Sequence, residues 1–106
     1  MVLTLFDGNI SATGTEQDLF NITADKLFST TVYTDKLENG DSVAVRVYVR
    51  DENDTQTMKK FIDVEISDAQ GSPSFFVPHL PTKQYQVTIQ TTGGVNRTFT
   101  WQRSEV

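Results

Sequence analysis

The chain has 106 residues, a net charge of −5 and a pI of about 4.6, and it contains no cysteine. That length suits one domain, 1–106, and the missing thiols exclude disulfide frameworks, thiolate metal sites and cysteine nucleophiles. Its lysines and arginines are dispersed among acids with no basic run, and no apolar stretch reaches the length of a membrane-spanning helix, so neither a nucleic-acid nor a membrane partner is expected.

In chain order, Val2–Phe6 is a short alternating run that predicts a strand at the very start. An edge strand offers unpaired N–H and C=O groups, so this segment is a candidate assembly arm. Val2, Leu3, Leu5 and Phe6 are its candidate interface residues. No basic region or cleavage pattern of a signal peptide accompanies it, which predicts a product made in the cytoplasm. Asp7-Gly8 and Gly14 punctuate the region before two further expected strands, Asp18–Ile22 and Leu27–Thr34. Asn39-Gly40 then fits a type I′ hairpin turn, because both residue types tolerate positive φ.

Val43, Val45, Val47 and Val49 alternate with Ala44, Arg46, Tyr48 and Arg50, predicting a strand Ser42–Asp51 with one buried face. Asp51, Glu52, Asn53 and Asp54 are the densest set of oxygen ligands. They lack the spacing of an EF-hand, and a solvated loop is expected rather than a calcium site. Met58, Lys60, Ile62, Val64 and Ile66 share one face of a strand Thr57–Ser67, and Ala69 to Pro73 reads as a break. Ser74–Val77 reads as a strand buried on both faces. Pro78, His79, Leu80 and Pro81 follow as a rigid loop suited to a contact, since proline lowers the entropic cost of docking.

Gln84–Thr91 and Val95–Arg103 complete the set, separated by Gly93-Gly94. Trp101 shares a face with Phe99 and is expected in the core rather than on a sugar-stacking surface. About eight short strands with turn signals between them predict an all-β fold. The expected architecture is a single antiparallel β-sandwich, jelly-roll-like or immunoglobulin-like.

Chemistry-bearing motifs are sparse. His79 is the single histidine. A triad needs a nucleophile and an orienting group beside the base, and zinc needs several ligands, so an ordinary loop histidine is expected. No nucleophile elbow, P-loop or paired-histidine motif is present, and the expectation is no enzyme, no cofactor and no metal. Asn9, Asn21, Asn53 and Asn96 each begin an N-x-S/T triplet. Their number exceeds chance and suits an external surface, but threonine-rich strands and asparagine-rich turns generate such triplets without use, and unused triplets are expected.

The opening Leu3-Thr4-Leu5-Phe6-Asp7-Gly8-Asn9-Ile10, with Gln17-Asp18-Leu19-Phe20, is one half of a family resemblance. The other half is the closing stretch, Pro81-Thr82-Lys83-Gln84-Tyr85-Gln86-Val87-Thr88-Ile89-Gln90 and Asn96-Arg97-Thr98-Phe99-Thr100-Trp101. Together they resemble small β-rich virion structural proteins of tailed and environmental viruses. The resemblance implies a non-enzymatic capsid decoration, minor capsid or spike-base protein located in the virion. Its partners would be copies of itself and other virion proteins. The alternative is an immunoglobulin-like or carbohydrate-binding adhesion module.

Overall fold

A computed structural model describes residues 3–50, 58–67 and 74–106. Six strands account for most of them: β1 (Thr4–Ser11), β2 (Gln17–Tyr33), β3 (Ser42–Arg50), β4 (Lys59–Ser67), β5 (Ser74–Gly93) and β6 (Thr98–Glu105). All pairings are antiparallel, in one hydrogen-bonded sheet of order β1-β6-β2-β5-β3-β4. The all-β, antiparallel expectation holds, and the described residues form six strands in one sheet where about eight were expected. The sheet is continuous and open, and its outermost strands β1 and β4 are not paired with each other.

The difference in strand count has a local cause. Asp18–Ile22 and Leu27–Thr34 are parts of one 17-residue strand, and Ser74–Val77 and Gln84–Thr91 are parts of one 20-residue strand. Register shifts between Thr23/Lys26 and between Phe28/Thr30 interrupt the β2–β5 ladder without ending it. Such bulges bend a strand and increase its twist. Pro78, His79, Leu80 and Pro81 therefore lie within β5 and not in a loop; Leu80 pairs with Phe28 and Pro81 with Leu27. The N-terminal strand is also displaced, running from Thr4 to Ser11 rather than over Val2–Phe6. Val2, the acidic run from Asp51 to Asp54 and the break from Ala69 to Pro73 lie outside the described residues.

The bend explains how one sheet makes a core. A flat six-stranded sheet would leave its apolar face wet, yet Val45, Val47, Val87, Ile89 and Phe99 are completely buried. β6 pairs with β2 only along Phe28–Tyr33, while the first part of β2 pairs with β5. Phe20, on that first part, nevertheless packs 5.0 Å from Trp101 of β6. Tyr85 stacks on Phe28 at 4.9 Å and on Phe20 at 5.6 Å, tying both parts of β2 to β5. Burying such rings contributes ~1.5–3 kcal/mol each. The Tyr85 hydroxyl shares a 2.7 Å hydrogen bond with Thr30, so its polar end is satisfied inside the core. Burial raises the Tyr85 pKa to about 12, against the opposing influence of that bond and of Arg103.

Alternation places the rest. Along β6, Phe99, Trp101 and Arg103 are buried while Thr98 and Thr100 are exposed. Trp101 is thus a core residue, as its shared face with Phe99 predicts. Phe76 departs from expectation: Val77 is buried, but Phe76 is 58% exposed, so this segment is covered on one face only.

Candidate assembly surface

Backbone edges are the first feature to place. β1 is hydrogen-bonded to β6 on one side and to no described strand on the other. Its ladder runs unbroken from Thr4↔Glu105 to Ser11↔Thr98. Leu3 and Leu5 are 54% and 56% exposed, and Phe6 is 40% exposed. β1 contains no proline, lysine or bulge, and Asp7 is its single charged residue, so it has few of the devices that ordinarily blunt an edge against strand addition.

The other margins carry those devices. The first part of β5, paired there only with β2, holds Pro78 and Pro81, which lack N–H donors. β4 begins with Lys59-Lys60 and has a register shift opposite Val47/Tyr48. The first part of β2 has a shift between Asp18 and Phe20. Among the described strands, β1 is the least guarded edge.

Of the residues singled out from sequence, Leu3, Leu5 and Phe6 thus fall together at this edge. Pro78, Leu80 and Pro81 do not join them: β6 and β2 stand between β1 and β5. Pro78 and Pro81 are exposed and Leu80 is half-buried. His79 is placed by its backbone in β5.

Phe6 and Ile10 anchor the edge strand inward, Ile10 against the core and Phe6 through Arg103. The Arg103 guanidinium lies 4.3 Å from the Phe6 ring centroid and 4.7 Å from that of Phe20, forming a cation sandwiched between two rings. Arg103 also pairs with Glu105 at 3.5 Å, and Lys26 reaches the same carboxylate at 3.5 Å.

Asp41 and Glu16 are the centres of two further polar clusters. Asp41 is 3% exposed. Its carboxylate accepts from the Val95 N–H (3.0 Å), the Glu38 N–H (2.8 Å) and Arg97 Nε (2.9 Å). The Val95 N–H, then the Glu38 N–H and Arg97, hold its pKa below the usual carboxylate value. Glu16 accepts from Thr88 (2.5 Å) and Tyr48 (2.7 Å), and Arg46 lies 3.6 Å away. The Thr88 hydroxyl is the largest influence lowering its pKa. A shallow depression lined by Asp35, Lys36, Glu38, Arg97 and Thr98 is open to solvent, and its Arg97 is paired with Glu38 at 2.8 Å. Among the described residues no group of three or more His, Asp or Glu side chains is placed to hold a metal.

No protein-family model matches the chain, and no curated protein matches it. Solved structures do. One comes from work describing Bacillus endospore appendages as a novel family of disulfide-linked pili. It aligns with 99% of this chain and 87% of that one, at a TM-score of 0.57 and 15% identity. The likeness is one of fold. RmlC from Streptococcus suis in complex with dTDP-D-xylose aligns with 97% of this chain but 43% of that one. Its TM-score of 0.47 and 9% identity are too low to support an argument. The whole-chain match is to a bacterial appendage protein, so the resemblance to virion proteins does not hold. The virion location and virion partners that it implied fall with it.

Sequence reasoning missed Tyr33, Phe61 and Phe76 as exposed aromatics, at 39%, 51% and 58%. Alternation alone does not say which of two faces is covered. The signal for Tyr33 was its place between Val32 and Thr34, both of which are buried.

Proposed function

We propose that this chain is a non-enzymatic structural or adhesion-type subunit that associates with copies of itself through the edge of β1. The observation that carries the reading is the least guarded strand, with Leu3 and Leu5 exposed beside a margin that no described strand pairs with. The fold shared with a protein of bacterial pili supports it. Those pili are described as disulfide-linked, whereas these 106 residues contain no cysteine. Association through them is therefore non-covalent and indifferent to reductant. Pro78–Pro81 is left out of the contact, because two residues without N–H donors interrupt strand addition on that margin.

Size-exclusion chromatography with light scattering across a concentration series tests the reading. Self-association is expected. It should persist in dithiothreitol and be lost in a Leu3→Lys/Leu5→Lys double variant that keeps its β-sheet circular dichroism. A species that is monomeric at every concentration, or an oligomer indifferent to both substitutions, overturns it.

A further inference from the structure

The two outward faces of the bent sheet differ in chemistry. On β3, β4 and the second part of β5, the outer residues form a dense charged network, with Arg46 bonded to Gln90 at 2.9 Å and paired with Asp63 at 3.3 Å. The outer face of β1, β6, the second part of β2 and the first part of β5 is nearly uncharged. One cross-strand row reads Asn9–Thr100–Tyr33–Ser74 and the next reads Asp7–Gln102–Thr31–Phe76. Asp7 is the only charge in either row.

Tyr33 and Phe76 are the exposed aromatic groups on this face, at 39% and 58%, and Leu5, two residues before Asp7 on β1, is 56% exposed at its margin. Tyr33 is the register partner of Ser74, and Thr31 that of Phe76, so the two rings are diagonal neighbours. Diagonal neighbours on paired strands stand roughly 7–8 Å apart, within reach of aromatic side chains. Around them lie hydroxyls and amides. The Thr100 hydroxyl donates to Asn9 Oδ1 at 2.8 Å, which leaves the Asn9 amide donors for a ligand or water.

We infer that this face binds a neutral oligosaccharide, with Tyr33 and Phe76 as the stacking platform. The C–H-lined face of a pyranose carries slight positive charge and complements the negative face of an aromatic ring. The sugar's hydroxyls and the surrounding Asn, Thr and Ser groups exchange hydrogen bonds. Other occupants fit less well. A nucleic acid would need cationic groups, and this face has none in its two rows. A second copy would need a contiguous apolar centre, whereas Gln102 and Thr31 separate Leu5 from the two rings. The inference rests on other groups than association through β1: Leu5 shares this face, but β6 and β2 stand between it and Phe76 on β5.

Isothermal titration calorimetry with chitohexaose, cellohexaose and maltohexaose tests it on the intact chain. At least one should bind, and Tyr33→Ala and Phe76→Ala should each weaken that binding by about tenfold. Phe61→Ala, on β4, should leave it unchanged, and Phe76→Tyr should preserve it. No binding of any of the three at about 10 mM overturns the proposal. So does binding that is indifferent to both alanine substitutions. If Tyr33→Ala and Phe76→Ala instead abolish self-association in light scattering, the face belongs to a second copy and the proposal fails.

Discussion

Gly8 lies against the indole of Trp101: a β-carbon at Gly8 would stand 2.7 Å from Trp101 Cζ2 and 2.9 Å from Cε2. The two are register partners on β1 and β6, so the ring extends across its neighbour's backbone where a side chain would otherwise be. This close approach couples the edge strand to the core. Gly8→Val should force the indole out of its place and destabilise the fold by ~1–3 kcal/mol. Thermal denaturation checks the magnitude. An unchanged melting temperature would show that Trp101 relocates without cost.

Gly40 and Gly94 separate two kinds of glycine requirement. Both have positive φ, +90° and +76°. A β-carbon on Gly40 would meet nothing within 4 Å, whereas one on Gly94 would meet Asp41 Oδ1 and stand 2.7 Å from Asp41 Cα. Gly40→Ala should therefore cost only its backbone strain, ~1–2 kcal/mol. Gly94→Ala should cost clearly more in chemical denaturation, and equal losses would argue against the crowding at Asp41.

Asp41 makes the fold sensitive to acid. Its folded pKa is lowered, so ionisation stabilises the native state at neutral pH. That contribution is lost as pH falls through the usual carboxylate range towards the folded value. Asp41→Asn should be less stable than the parent at pH 7 and should show a shallower decline in stability between about pH 5 and pH 2. Urea midpoints across that range provide the measurement. Parallel declines would place the acid sensitivity elsewhere.

Arg103 holds β1 through Phe6 as well as through the β6 ladder. Lysine keeps the charge but not the planar group that lies between two rings. Arg103→Lys should lower stability by ~1 kcal/mol and speed amide hydrogen exchange along β1 relative to β3. A uniform change across both strands would show a general loss of stability and not a release of the edge.

Strand identity was legible where one face is apolar and the other polar. Val43, Val45 and Val47 are buried and Arg46 and Tyr48 are partly exposed, as their alternation predicts. The continuity of β2 and β5 was not legible. Their bends occur at bulges, and a bulge has the same local composition as a loop: Pro78 and Pro81 mark an edge as readily as a turn. The candidate surface was legible in half. A short apolar run at the start of the chain suggested an edge strand, but the ladder register was needed to show which margins lack protection. Phe76 was hidden because Phe75-Phe76-Val77 looks the same whether one face is covered or both.

Thr4 and Glu105 are register partners, so both ends of the folded segment leave from the same end of adjacent strands. Tension pulling those ends apart would open the β1–β6 ladder one bond after another, as a zip opens. Force entering sideways through β2 and β5 meets a different geometry, because their long shared ladder is loaded all along its length. This geometry predicts less resistance to tension on those two ends than to shear along the β2–β5 ladder.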